Sequence, residues 1–148
     1  MKINAQVTIR AELKDVFEAF SDLEKVEERI SGIKKIEILN ASAQMQVGTK
    51  WRETRVIFGK EATEEMWVTE LMKNKSYVVE AESHGTHYRS TYTFKEAEDG
   101  ILVKMIFEGT PLTFTSKLMS VMMIFFAGST RKLLEKDMKD LKDLLEEK

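Results

Sequence analysis

The chain has 148 residues, 43% hydrophobic and 32% charged, with a formal net charge of −2 and no cysteine. That length suits one domain spanning 1–148, large enough to bury roughly 68–70% of its unfolded surface. Lys/Arg and Asp/Glu are interspersed, so no basic face is available for nucleic acid. The lack of cysteine excludes disulfide and thiol chemistry. Strand-like alternation starts at Ile3 with no apolar leader, so no signal peptide is expected and the cytoplasm is the expected compartment.

Lys2–Ala11 is the clearest strand. Ile3, Ala5, Val7, Ile9 and Ala11 fall on one face, and Lys2, Asn4, Gln6, Thr8 and Arg10 on the other. Glu12–Phe20 then offers Leu13, Val16, Phe17 and Phe20 at helical spacing. Ser21-Asp22-Leu23-Glu24 has the form of a capping box for a second short helix. That helix should end near Ile30, with Gly32 as a left-handed stop.

From Ile33 the pattern becomes that of antiparallel strands. Ile33–Leu39 precedes a polar loop to Gly48, and Thr49–Phe58 turns at Gly59-Lys60 into Glu61–Leu71. Lys73-Asn74 leads to Lys75–Ser83, His84-Gly85 to Thr86–Lys95, and Asp99-Gly100 to Ile101–Gly109. Asp-Gly between alternating runs is a hairpin signal, because both positions of the favoured turn need positive φ. Pro111 closes the last strand.

Ser116–Lys148 reads as one long helix with two unlike halves. Leu118–Ala127 is apolar nearly all round, as in a helix buried on most sides. Lys132–Lys148 instead carries a narrow stripe of Leu134, Met138, Leu141 and Leu145 in a charged background. Gly128-Ser129-Thr130 between them could bend the helix. A concave sheet gripping this helix would explain a fully apolar end and a half-wet end, and that geometry encloses a pocket. The apolar run is about half of the roughly 20 residues a membrane-spanning helix needs. Over 131–148, Arg131 and five Lys face six Asp/Glu, unlike the basic face of a surface-bound helix. No stable membrane insertion is expected.

The element order is therefore strand, two helices, about six strands and a long helix. In that order, and in several local phrases, the chain resembles the SRPBCC or START/Bet v 1-like superfamily, in its polyketide cyclase/dehydrase and lipid-transport branch. The phrases are Val16-Phe17 on the first helix, Ser31 to Leu39 entering the second strand, and Val47-Gly48-Thr49 before the third. Val68-Thr69-Glu70-Leu71 closes the fourth strand, and Leu141 to Glu146 resembles the closing helix signature. Ser31 stands where many relatives have proline. The resemblance implies an α+β helix-grip fold, a curved antiparallel sheet of about seven strands around the C-terminal helix, with ligands entering between them. These motifs concern packing and turns, so they speak for the fold and not for a reaction.

Candidate chemistry is sparse. His84 and His87 lie near Glu80 and Glu82, but a zinc site needs side chains converging at about 2 Å from one point. A hairpin tip makes them diverge, so solvated turn histidines and no metal are expected. No serine sits in a nucleophile-elbow setting. Glu53 and Arg55 share parity with Trp51 and Ile57. Facing inward, the pair would cost several kcal/mol unless well paired or wetted, and it would anchor a ligand's polar head. Because charges are rarely fully buried, surface charges at a cavity mouth are the simpler expectation. Tyr88, Ser90, Tyr92 and Phe94 should point inward, with Tyr88 and Tyr92 either orienting a ligand or closing against backbone carbonyls. Met119, Met122 and Met123 suit an adaptable wall.

The expected function is binding or carriage of a hydrophobic small molecule such as a lipid, isoprenoid or polyketide-like compound. Burial contributes about 25 cal/mol per Å² of apolar surface, and a few polar groups set orientation. The candidate cavity residues are Trp51, Glu53, Arg55, Trp67, Tyr77, Tyr88, Tyr92, Phe94, Met105, Phe107, Leu118, Met122, Phe125 and Phe126. No cofactor is expected. Two alternatives stay open. One is a cyclase/dehydratase-type enzyme using Glu53, Arg55 or a tyrosine for acid–base help. The other is a co-chaperone-like module that binds a protein partner.

Overall fold

Seven segments of alternating pattern pair into one antiparallel sheet that holds the C-terminal helix on its inner face. The computed structural model describes residues 1–40, 42–57, 59–115 and 127–147. In chain order they form β1 (Lys2–Ile9), α1 (Leu13–Ser21), α2 (Leu23–Arg29), β2 (Ile33–Ile38), β3 (Lys50–Ile57), β4 (Lys60–Met72), β5 (Ser76–Ser83), β6 (Thr86–Ala97), β7 (Gly100–Pro111) and α3 (Ala127–Glu146). The sheet order is β1-β7-β6-β5-β4-β3-β2, so only the β1–β7 pair joins strands distant in sequence. This is the helix-grip arrangement that the resemblance implied.

Register places the predicted inner residues together. Ala5 pairs with Met105, Val7 with Val103 and Ile9 with Ile101; Ile3 and Ile9 are fully buried, while Val7 is half-buried. A bulge between Val68 and Glu70 in β4 adds one residue and reverses parity. Val68 before it and Leu71 after it can therefore both face the core, with Leu71 opposite Tyr77.

Three turns differ from their sequence reading by one residue; in the first, Met72 pairs with Ser76, so Lys75 belongs to the turn and β5 begins one residue later than expected. Ala97 pairs with Gly100, so the loop is Glu98-Asp99 and Gly100 begins β7. A glycine is required there for two reasons: φ is 137°, and an added Cβ would lie 2.4 Å from the Ile9 carbonyl oxygen. Likewise Ile57 pairs with Lys60, so Lys60 belongs to β4 and not to the turn. The β5–β6 turn is as expected: His84 (φ 51°) and Gly85 (φ 75°) are both left-handed, the geometry that matches strand twist.

The boundary between α1 and α2 also differs. Ser21 is already helical, and its hydroxyl donates to the Phe17 carbonyl at 2.7 Å. The extended residue is Asp22, whose carboxylate accepts from the Glu24 and Lys25 N–H groups, so Asp22 is the N-cap. At the other end α2 leaves through Ile30 in an extended conformation, and Gly32 is not left-handed; the chain instead enters β2 through a turn at Ser31-Gly32, closed by the Ile33 N–H donating to the Ile30 carbonyl at 3.1 Å.

The charged half of the terminal helix is α3. It runs through Gly128-Ser129-Thr130 and buries Met138, Leu141 and Leu145 against β1, α1 and α2. Polar contacts fasten the same face. Arg131 Nε donates to the Asn4 carbonyl, Lys142 Nζ to the Thr8 carbonyl, and the Arg10 N–H donates to Glu146. The Ser31 N–H and hydroxyl both donate to Asp140 Oδ2 at 3.0 Å. A proline at position 31 could supply neither donor. Most of the apolar half, 116–126, lies outside the described residues, as do the contacts expected of Leu118, Met122, Phe125 and Phe126.

Leu141→Ala should lower unfolding free energy by about 2–5 kcal/mol in urea denaturation, as removal of a fully buried Leu leaves a void. In the same measurement Gly100→Ala should cost about 1–3 kcal/mol through backbone strain. Gly128→Ala, whose added methyl would meet nothing within 4 Å, should instead stabilise by about 0.4–1 kcal/mol.

Candidate functional site on the concave face

The inner face of the sheet has two ends of different character. At one end α1 delivers Phe17 and Phe20 onto Tyr77, Tyr92 and Phe94. The Phe17 ring meets Phe94 edge-on at 5.0 Å, and Tyr77 stacks on Tyr92 at 4.6 Å. Tyr77 is buried, and its hydroxyl donates to the Phe20 carbonyl at 3.3 Å. Met105, also buried, sits opposite Ala5 and Tyr92. This end is closely packed core. Burial pushes the Tyr77 phenol well above its ordinary pKa. Burial does the same for Tyr92, with the Asp137 carboxylate adding to it, so both stay protonated at neutral pH.

At the other end Tyr88 and Phe107 stack at 5.4 Å and are only half-buried. The Tyr88 ring lies over Gly109, where an added Cβ would come within 3.3 Å of it. Ser90, between Phe107 and Val79 in register, and Met66, opposite Trp51 and Ala81, complete a half-buried patch. A shallow cleft of about 280 Å³ opens between β1 and the start of α3, lined by Asn4, Ala5, Gln6, Arg131 and Glu135.

Beyond Trp51 and Met66 in register, on β3, lies an ion network. Glu53 and Trp51 are buried, at 6% and 2% exposure. Arg55 Nε donates to Glu53 Oε2 at 2.7 Å, and Arg55 Nη2 to Asp137 Oδ2, also at 2.7 Å. The Trp51 indole N–H makes a long contact of 3.5 Å with Glu53 Oε1. Glu53 and Arg55 thus point inward and are not the mouth-facing surface charges that their polarity suggested. What makes this possible is Asp137, which comes from α3 and completes the pairing. Burial works against the Arg55 charge, but Glu53 and Asp137 outweigh it and hold the guanidinium protonated. Burial pushes the Asp137 carboxyl up, with Arg55 opposing.

Trp67 does not join this group. It pairs with Glu80 on the outer face of the sheet and meets the His87 ring edge-on at 6.5 Å. Its parity is that of Lys50 and Glu65, the outward residues beside it. His87 sits there between two carboxylates, with Nε2 2.7 Å from Glu80 and Nδ1 3.1 Å from Glu82. His84, at the hairpin tip, contacts the Ser83 hydroxyl. Among the described residues no group of three or more His, Asp or Glu side chains is arranged to hold a metal ion.

A family model described as polyketide cyclase / dehydrase and lipid transport matches residues 1–146. The chain belongs to that family. No curated protein matches it. Among solved structures, TTHA0849 from Thermus thermophilus is similar at 15% identity, covering 98% of this chain and 97% of that one, with a TM-score of 0.78. Ara h 8.0201 is similar at 13% identity over 100% and 99%, with a TM-score of 0.74. One half of the di-domain ARO/CYC StfQ from the steffimycin biosynthetic pathway is similar at 8% identity, covering 99% of this chain and 51% of StfQ, with a TM-score of 0.81. At these identities the likeness is one of fold. Among the described residues no helix of this family member is long and apolar enough to cross a membrane.

Two inner-face residues escape the sequence reading. Asp137 looks like one more solvent charge, yet it is three residues from Leu134 and four from Leu141, on the apolar stripe itself. Glu64 shares inward parity with Met66 and Val68, and its carboxylate accepts from the Ser83 hydroxyl at 2.9 Å. Helical and strand spacing respectively could have found both.

Arg55→Met should cost about 3–5 kcal/mol, the typical effect of removing one partner from a buried pair. Adding Glu53→Gln and Asp137→Asn should recover much of that loss in urea denaturation, since no uncompensated charge remains. On the outer face, the hydrogen bond to Glu80 chiefly raises the His87 pKa, burial opposes it, and Glu82 adds to it. His87 is therefore expected to titrate above its ordinary 6.5 in NMR, and Glu80→Gln should bring the midpoint down. Its stabilising contribution is complete below the unfolded pKa and fades as pH rises through the folded one.

Proposed function

We propose that the protein binds and carries a hydrophobic small molecule between the concave sheet and the C-terminal helix. The observation that carries this reading is the unequal filling of the inner face. At one end Phe17, Phe20, Tyr77 and Phe94 are buried, with Tyr92 half-buried at the margin, whereas Tyr88, Ser90, Phe107 and Met66 at the other end are all half-buried, although they are inward in register. Large apolar side chains on the inner face of a small sheet normally reach full burial. A face that retains accessible aromatic surface inside the grip can cover it with a ligand, at about 25 cal/mol per Å². Membership of a family whose description includes lipid transport supports the same reading.

One observation favours a second reading, that of a cyclase/dehydratase-type enzyme: the ionisable groups Glu53, Arg55 and Asp137 are inside. Their mutual pairing weighs against it. A general base must be free to take a proton from the substrate, whereas each of these carboxylates already accepts from Arg55.

Native mass spectrometry of freshly purified protein should reveal a co-purified hydrophobic molecule. Ser90→Trp should abolish binding of a fluorescent apolar probe while lowering stability by less than about 1 kcal/mol, because an open site accepts volume. A close-packed core would lose about 1–3 kcal/mol from such overpacking. Strong destabilisation with probe binding unchanged would show that this end is plain core and would sink the reading.

A further inference from the structure

We propose that the inner face sorts apolar ligands by their polar end: it accepts one that donates hydrogen bonds, as an amine or hydroxyl, and turns away a carboxylate, with Glu64 as the receiving group. This rests on the reading of the inner face as a ligand site and adds the chemical class of the ligand.

The argument starts from charge. Among the described residues, the Asp, Glu, Lys and Arg side chains in inward register are Glu53, Arg55 and Glu64, joined by Asp137 from α3; Lys60 and Glu96 share that register only at exposed hairpin ends. Three carboxylates thus face one guanidinium. Arg55 is also committed. Nε and Nη2 are taken by Glu53 and Asp137, and Nη1 lies against Gly32, 3.4 Å from where a Cβ would stand. Among the described residues no free cation is in register beside Glu64, where the excess field is negative in a setting in which charges are weakly screened; the N-terminal ammonium lies three strands away, donating to the Gly109 carbonyl at 3.1 Å.

Placement of Glu64 completes the case. It lies directly opposite Glu53 across the β3–β4 ladder, and like charges in that relation are destabilising. Departures of this kind from local rules concentrate at functional sites. Glu64 is half-buried and fixed by the Ser83 hydroxyl. A carboxylate has roughly four acceptor positions, so the one Ser83 bond leaves capacity for a ligand donor. It is also beside the half-filled end: next to burial, the Glu64 charge is one of the influences that raise the Tyr88 pKa. An apolar tail laid on Tyr88 and Phe107 would bring its head group to Glu64.

The test uses three ligands with the same chain, dodecylamine, dodecanol and dodecanoate, each displacing a fluorescent apolar probe from the unmodified protein at pH 7. The amine and the alcohol should displace it at concentrations at least about tenfold below dodecanoate, the range of a charge-assisted hydrogen bond. Near-isosteric Glu64→Gln should narrow the amine-to-carboxylate ratio by about tenfold and leave the alcohol nearly unchanged. Dodecanoate binding as tightly as the other two on the unmodified protein would overturn the inference while leaving the apolar site standing. An unchanged ratio in folded Glu64→Gln would remove Glu64 from the role. If neither the probe nor any of the three chains binds, the ligand-site reading itself fails, and this inference falls with it.

Discussion

Arg55 is the point at which sheet and helix become one structure. Its guanidinium takes Glu53 from its own strand and Asp137 from a helix 82 residues later. The planar fork of an arginine can hold two carboxylates in fixed directions, which a lysine could not do. Because the cluster is buried, it cannot be an optional surface ornament: either all three partners are in place or a charge is stranded in a medium that solvates it poorly. The angle at which α3 lies across the sheet is therefore tied to the rotamer of one side chain on β3. The rest of the interior packs closely beneath α1 and leaves half-buried aromatic surface at Tyr88 and Phe107.

The outer face of the sheet has a different economy. His87, Glu80, Glu82, Arg89 and Glu70 form a chain of charged contacts across neighbouring strands, with Trp67 laid beside His87. Exposed pairs of this kind contribute little individually. Their role is to satisfy a wide sheet surface that faces water, which leaves the inner face free to carry apolar residues.

The fold was legible because its signals are local. Alternation from Lys2 to Ile9, the hairpin at His84-Gly85 and the helical spacing of Val16, Phe17 and Phe20 each report on neighbours in sequence. Errors of one residue fell where two signals competed. At 98–100 the glycine was read as part of the turn, yet its conformation serves the approach of β1. At Ser21 the capping pattern overlapped a helix that had not yet ended. The site was less legible, for the reason that Arg55 shows: whether a charge is buried depends on its partner, and Asp137 is remote in sequence. Parity could say that Glu53 and Arg55 share a face with Trp51, but not that a third group waited there. Trp67 was misplaced because aromatic character suggests the interior, whereas parity with Lys50 and Glu65 assigns it outward.

An open sheet has two unpaired rims, and this one treats them differently. The β2 rim carries Lys34, Lys35 and Glu37, charges that discourage another strand from adding there. On the β1 rim the backbone carbonyls of Asn4 and Thr8 are capped by Arg131 and Lys142 of α3. The terminal helix thus serves as a guard rail as well as a lid for the interior. Lifting it would uncover apolar lining and a strand edge ready for pairing at the same moment. Its C-terminal turns are held down by Leu141, Leu145 and Glu146. The contacts that close the interior thus also protect the molecule against joining its neighbours edge to edge.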